Sequence, residues 1–571
     1  MSLFAQVYTR RVVRRGGIRQ RAAAAAEEAG EDPPKVSKLA VGLLQDWADG
    51  NLSAAQVQRH ASNAIADGMS DPLLQRLQQD SNPQRGLQTL LRDIGVLDFM
   101  STIDGSNCWR QCVLPSTWLR HIQVNSPRDF RLAVGANIAR TREFWDEFLR
   151  TPDRRAWAAQ HAFLRDKSVE DLLHTIPLAL HEDSGPCSKK QSANCITFTS
   201  LLKSGPEKIT HFLCATALKG KNDDLKVWEV LLQDFEELAR DGLRTGRGET
   251  WSFVLLVIQA DEEVRANSFG LIHWGQGDDI CPECLANRTT MPYTDLRPNA
   301  AWRSHLVSDL AEFRGRNRRP NHPLLASPFF TRHLLQMDVM HCMDCKGVAA
   351  IAYGSFLMYV IGDLRLGANQ GERIDRFNTE MNTWYAARPG SNRLPAIKLS
   401  DIRKLGWGEL HSPAIKAAMT REAAPFFCDL AERLYSAAPT PQEASTIQLL
   451  RELKAFYEVL ASQGMFMSPA SVRRLRLVCE RFGTAFMSLR EAARMDNMLA
   501  WQVTTKVHKM QHMPTMAKLM NPRAISCYAF ESAIGTTTTV WKRSLQGRHR
   551  QVNQGHVLAK RVLGVLLRWE V

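Results

Sequence analysis

The alternation of apolar and polar positions divides this chain into helical and strand-like stretches. From Lys38 to about Asp171 the period is helical: Leu39, Val41, Leu43, Leu44 and Trp47 recur near helical spacing, and Ile138 to Leu149 is a second such stretch. At Thr175 the period changes. Ile176 to Leu180 reads as a short strand ending in His181-Glu182-Asp183, with Ser184-Gly185-Pro186 as its turn. Asn194 to Leu202 and His211 to Leu218 are β-rich runs separated by Lys203-Ser204-Gly205-Pro206, which predicts an antiparallel pair. Asp223 then caps an amphipathic helix with Leu225, Trp228, Leu231, Leu232, Phe235 and Leu238 on one face, ended by Gly242. Phe253 to Gln259 is an unbroken uncharged run, as expected of a strand buried on both faces, and the pattern stops at Asp261.

After Cys284 the chain is basic and irregular to about Pro323, and from Ala349 to about Ala500 it is mostly helical, as in Ala414 to Ala438 and Gln442 to Gln463. Gly347 to Gly362 is shorter than the roughly 20 residues a bilayer requires, so a buried helix is expected and no membrane partner. Ser526 to Leu545 predicts a helix despite the β-branched threonines at 536 to 539. His556 to Val571 closes the chain with an apolar stripe of Val557, Leu558, Val562 and Leu566. At the other end, Arg10, Arg11, Arg14, Arg15, Arg19 and Arg21 precede the Asp32-Pro33-Pro34 break. This basic flexible arm fits an organelle transit segment, a nuclear import signal or a DNA-grasping arm.

Strand, strand, strand, helix, strand is the order of an RNase H-like core, in which the first and fourth strands lie side by side and bring Asp183 and Asp261 together. The expected fold class is therefore α/β: an RNase H-like catalytic core with a mixed sheet, interrupted by a large all-α insertion, with a helical N-terminal domain. The boundaries are 1–36 for the arm, 37–172 for the helical domain, 173–300 for the first part of the core, 301–500 for the insertion and 501–571 for the closing segment.

Composition narrows the function. A chain of 571 residues exceeds one ordinary core, and 44% apolar with 23% charged residues is globular rather than disordered. The net charge of +14 favours a polyanionic partner, nucleic acid before membrane. Twelve dispersed cysteines read as free thiols plus a metal site in a reducing compartment.

Two sets of side chains carry candidate chemistry. Asp183 and Asp261, held close, repel each other, and Mg²⁺ or Mn²⁺ relieves that repulsion; a two-metal site performs phosphoryl transfer. Cys281-Pro-Glu-Cys284 is half a zinc site, and His508 and His512, four apart on one helical face, can complete it. Cys342 and Cys345 are the rival partners, in a stretch that also offers Asp338 and His341 as ligands or structural residues. Arg314, Arg316, Arg318 and Arg319 border the proposed site, and Lys542, Arg543 and Arg548 follow the helix at 526 to 545; these are either phosphate contacts or a solvated face.

From about residue 170 onward these motifs resemble the catalytic core of DDE transposases of the En/Spm (CACTA) type, a core also similar to that of the V(D)J recombinase catalytic subunit. The matching pieces are Asp183 in LALHEDSG, Asp261 in VIQADEEVRANSFG, the C-x-x-C at Cys281 and Cys284, the two histidines at His508 and His512, and Glu531 in FESAIG. Asp338 to His341, DVMH, also looks like a tetrapeptide these transposases carry. The first acid here stands before Ser184-Gly185, where the family usually has Asp-Gly. The resemblance implies Asp183, Asp261 and Glu531 as the catalytic triad on two Mg²⁺ (or Mn²⁺) ions, with one structural Zn²⁺ on Cys281, Cys284, His508 and His512. It also implies DNA element ends and target DNA as substrates, cleavage followed by 3′-end strand transfer, a homo-oligomer on DNA, and work in the nucleus. Two rival expectations are a catalytically inactive, transposase-derived DNA-binding or scaffold protein, and an RNase H-like nuclease acting on RNA or hybrids.

Overall fold

The computed structural model describes residues 37–568, apart from short segments at 94–95, 105–109, 126, 190, 206–209, 219–223, 247, 274, 276, 364–365, 389–391, 404–407, 436 and 546–552. The arginine-rich arm, Asp223 and Arg548 lie outside the described residues.

Helices α1 (Lys38–Ala48) and α2 (Ile138–Leu149) belong to a helical run that precedes the sheet. Each starts at a polar cap: the Ser37 hydroxyl accepts the Ala40 N–H, and the Asn137 side-chain oxygen accepts that of Arg140, both at 3.1 Å. Strands β1 (Thr175–Pro186), β2 (Ser192–Ser200) and β3 (Phe212–Leu218) follow, then helix α3 (Leu225–Arg240), strand β4 (Thr250–Ala260), the one-turn helix α4 (Glu262–Asn267) and strand β5 (Leu335–Met337). They form one mixed sheet in the order β3-β2-β1-β4-β5, with a two-residue ribbon at Leu243–Arg244 pairing with the start of β4. β1 is antiparallel to β2 and parallel to β4, and β4 is parallel to β5.

The expected turn at Ser184-Gly185-Pro186 is absent. Asp183, Ser184 and Gly185 stay paired with Cys195, Asn194 and Ala193, so β1 continues to Pro186. β2 offers a full ladder of backbone partners there, which outweighs the local turn preference of Ser-Gly-Pro.

Past β5, helices α5 (Val348–Gly362), α6 (Pro441–Ala461) and α7 (Pro469–Met495) dominate a helical region, followed by the short α8 (Thr505–Met510) and α9 (Met513–Ala517), then α10 (Tyr528–Ser544) and α11 (Asn553–Arg568). α5 is apolar all round and most of its residues are buried, as expected. The single helix expected from Ala414 to Ala438 is instead two, Ala417–Glu422 and Ala424–Tyr435. Apolar side chains gather into two main cores. One joins the N-terminal helices, the sheet and α11, for example Leu44, Trp118, Leu180, Leu256 and Leu563; the other lies among the later helices around Phe356, Phe427, Phe456 and Phe486. Arg561, 3.7 Å from Asp49, and Arg568, hydrogen-bonded to the same carboxylate, tie α11 back to the end of α1.

Glu182 points from β1 to the side away from Asp183, where the Ser268 hydroxyl donates to it at 2.9 Å. Burial, followed by the charge of Asp224, pushes its carboxyl up to about 8. A group raised in the folded state contributes stability below its free value of about 4.3, and that contribution is lost as pH rises through the folded value. Glu182→Gln should therefore leave stability unchanged near pH 4 and raise it by on the order of 5 kcal/mol at pH 8. Denaturant unfolding across that range checks this; parallel pH profiles for the two proteins would refute it.

Candidate metal centres

The sheet register places the acids. Glu182 pairs with Ala260 and Ala260 with Met337, so the next residues, Asp183, Asp261 and Asp338, form a row just past the last parallel pairs of three adjacent strands, within β1 and at the ends of β4 and β5. Neighbouring strands lie about 4.8 Å apart, so the register sets the backbones of these three residues side by side. Their hydrogen bonds differ. Asp261 caps α4, accepting the Val264 N–H at 2.7 Å on one oxygen, and Asp183 accepts the Ser184 N–H at 2.6 Å. Asp338 accepts the Cys527 N–H at 2.8 Å on one oxygen and both the N–H and the Nδ1–H of His341, at 2.8 and 2.7 Å, on the other. Asp338 therefore orients other groups, and His341 turns its Nε2 toward Glu531 Oε1, 3.9 Å away.

Glu531 reaches this row because α10 lies close against β1. A Cβ at Gly185 would stand 2.7 Å from Thr538 Cγ2, so only glycine permits that approach, which gives Asp183-Ser184-Gly185 a packing role. The Trp541 indole donates to Thr216 at 2.7 Å and fastens the far end of α10 to β3. The threonines fit the helix because Thr537 bonds back to the Ala533 carbonyl, and Thr538 and Thr539 to that of Gly535. As a result, ligand atoms of Asp183, His341 and Glu531 lie within 4.8 Å of one another. A cleft of about 230 Å³ adjoins them, with Asp261, Asp338 and His341 facing it along with Lys506 and Lys509.

Like charges and burial set the electrostatics. Burial and then the charge of Asp261 hold the Asp183 carboxyl far above the usual carboxylate range, against the opposing effect of His341. Glu531 is raised too, by burial first and then by Asp338 and Asp261. Burial disfavours charge on His341, but the Asp338 hydrogen bond and the surrounding acids prevail and lift it to about 10. His341 is thus a cation at neutral pH, standing where a divalent ion would be attracted. His341→Gln should raise Mn²⁺ affinity roughly tenfold, about 1.4 kcal/mol, by removing a competing charge. Calorimetric titration checks this, and a fall in affinity would make His341 a ligand instead.

The second centre is assembled from segments more than two hundred residues apart in sequence. Cys281, Cys284, His508 and His512 are all buried, with ligand atoms mutually within 4.8 Å. Cys281 Sγ is 3.6 Å from His512 Nε2, Cys284 Sγ is 3.4 Å from His508 Nε2, and the two Nε2 atoms are 3.2 Å apart. These spacings match the edges of a tetrahedron about an ion with N and S bonds of about 2.0 and 2.3 Å. The donor set fits as well: His508 gives its Nδ1–H to the Tyr293 carbonyl at 3.2 Å, leaving a lone pair on the inward Nε2. The histidines are not on one helix as expected. His508 belongs to α8, and His512 sits at the break before α9. Cys342 instead bonds the Lys506 carbonyl at 3.4 Å, and neither it nor Cys345 joins this cluster.

The two centres are braced to each other. Lys509, between the two histidines, pairs with Glu262, the residue after Asp261. Arg265 on α4 pairs at 3.0 Å with Glu283, inside the C-x-x-C. Arg316 donates to the carbonyls of Cys284 and Cys281 at 3.2 and 3.3 Å, and Arg319 grips Asp224 with two bonds of 3.0 and 2.9 Å. Those two guanidinium groups are committed within the fold; Arg314, which lies over the Phe330 ring at 5.3 Å, Arg318, Lys542 and Arg543 are exposed. The DVMH pair is the part sequence reasoning undervalued: Asp338 completes the row and His341 enters the acid cluster, a placement its Asp-x-x-His spacing alone leaves open.

The site defines an α/β protein with one buried Cys₂His₂ cluster able to hold a metal ion and, beside it, a carboxylate and histidine group. Comparison with protein-family models and with curated proteins finds no match.

Proposed function

We propose that this chain is a DDE-type DNA phosphoryl transferase of the En/Spm (CACTA) kind, built on an RNase H-like core with a helical insertion. The observation that carries the reading is the cluster of Asp183, His341 and Glu531, drawn from three distant segments with ligand atoms within 4.8 Å of one another, beside a Cys₂His₂ cluster; Asp261 acts on it by raising the Asp183 carboxyl. The strand order β3-β2-β1-β4-β5, with β1, β2 and β3 successively antiparallel and β4 and β5 parallel to β1, supports it further.

Asp183, Asp261 and Glu531 would hold two Mg²⁺ or Mn²⁺ ions, which supply activation of the attacking hydroxyl and neutralisation of the leaving oxygen. Cys281, Cys284, His508 and His512 would hold one Zn²⁺ with a purely structural task. The chain's own groups do the rest. The carboxylates fix the geometry for in-line attack on a DNA phosphodiester, and the His341 imidazolium sets a positive charge beside the phosphate. Exposed Arg314, Arg318, Lys542 and Arg543 are the residues to hold flanking phosphates, in keeping with the net charge of +14. Element ends and target DNA would be bound by a homo-oligomer in the nucleus.

Mg²⁺-dependent nicking of duplex DNA, followed by joining of the new 3′-end to a second duplex, tests the proposal. Asp261→Ala should remove both steps. DNA binding without cleavage would leave a scaffold protein, and preferential cutting of RNA–DNA hybrids without end joining would leave a nuclease.

A further inference from the structure

Asp344 links the helical region to the acid cluster. It ends a π-helical turn, Met340–Asp344, which also carries His341; such turns occur preferentially at functional positions. Its side chain is buried, and each carboxylate oxygen receives one hydroxyl: Tyr457 donates at 2.5 Å and Tyr528 at 2.7 Å. Tyr457 belongs to α6, in the helical region. Tyr528 opens α10, three residues before Glu531, and so lies on the same helical face. The Arg421 guanidinium, from another helix of that region, covers the Tyr528 ring at 4.5 Å. One carboxylate therefore joins the turn bearing His341, the helix bearing Glu531 and the helical region.

We propose that Asp344 is a positioning residue: through Tyr528 and the π-helical turn it sets Glu531 and His341 relative to each other, and through Tyr457 it makes that setting depend on how the helical region is seated. This rests on the reading of Glu531 as a metal-holding carboxylate. The alternative, that the three side chains merely fill space, makes a different forecast. Removing a hydroxyl from a filler costs stability and leaves metal affinity alone, whereas groups that orient ligands typically cost about 10- to 100-fold in metal affinity when lost.

The experiment compares Tyr457→Phe, Tyr528→Phe and the double variant in the full chain, reading Mn²⁺ affinity by calorimetry, zinc content and thermal midpoint. Each single change should weaken Mn²⁺ binding about tenfold or more with zinc content intact. The double variant should be little worse than either single, because both act through one carboxylate. Unchanged Mn²⁺ affinity in both single variants overturns the proposal, even if their midpoints fall. Asp183→Asn is the control: if it leaves Mn²⁺ binding untouched, the metal-site reading itself fails, independently of Asp344.

Discussion

Replacing Cys281 and Cys284 together by serine should remove one zinc per chain and destabilise the fold by on the order of 5 kcal/mol, with activity lost in step. The figure is a fraction of the roughly 10–16 kcal/mol that isolated zinc-finger peptides owe to their metal, since here the two hydrophobic cores remain. What disappears is a cross-link. The Cys₂His₂ cluster ties the loop after α4 to α8 and α9, and without it two buried imidazoles, with Nε2 atoms 3.2 Å apart, face one another without a shared partner. Lys509–Glu262 then still connects the histidine segment to the neighbour of Asp261. Elemental analysis together with denaturant unfolding measures both effects. Unchanged zinc content in the double variant would discard the assignment.

Asp183→Asn should move activity and stability in opposite directions. Nicking should fall by on the order of 10³-fold, because a preorganised charged group at the reaction centre is gone. Stability of the metal-free protein should rise, because the carboxyl of Asp183 is held above its ordinary value by burial and by Asp261. The sign follows from that direction: the wild type is at its best at low pH and loses stability as pH climbs through the raised value, whereas the amide does not titrate. The gain is therefore absent below about pH 4, the ordinary aspartate value, and grows toward neutral pH. Added Mg²⁺ should raise the thermal midpoint of the wild type and leave the variant nearly unmoved. A variant that cleaves at the wild-type rate, or that Mg²⁺ stabilises equally, would remove Asp183 from the site.

Much of this was legible in the chain, and for an identifiable reason. The uncharged run of β4, the amphipathic face of α3 and the match between Ile138–Leu149 and its helix follow from periods of two or 3.6 residues, which need no distant partner. The C-x-x-C and the spaced histidines announce ligand chemistry in the same local way. Where local signals misled, a neighbour decided: β2 extended β1 through Ser184-Gly185, and Gly185 served the approach of α10 rather than a turn. Arg316 and Arg319 read as phosphate contacts or a solvated face, but backbone carbonyls and Asp224 occupy them.

Taken by itself, the order of amino acids determined which side chains offer metal-ligand chemistry, where most strands and helices form, and that an acid follows the end of the fourth strand. Only the tertiary structure decided that Asp338 completes the row, that His341 enters the cluster, that Asp344 is shared by two tyrosines, and that Cys281 meets His512 across 231 positions. The physical reason is range: backbone preference acts over a turn or a strand pair, whereas contacts between such distant residues exist only once the buried cores have fixed how the elements pack.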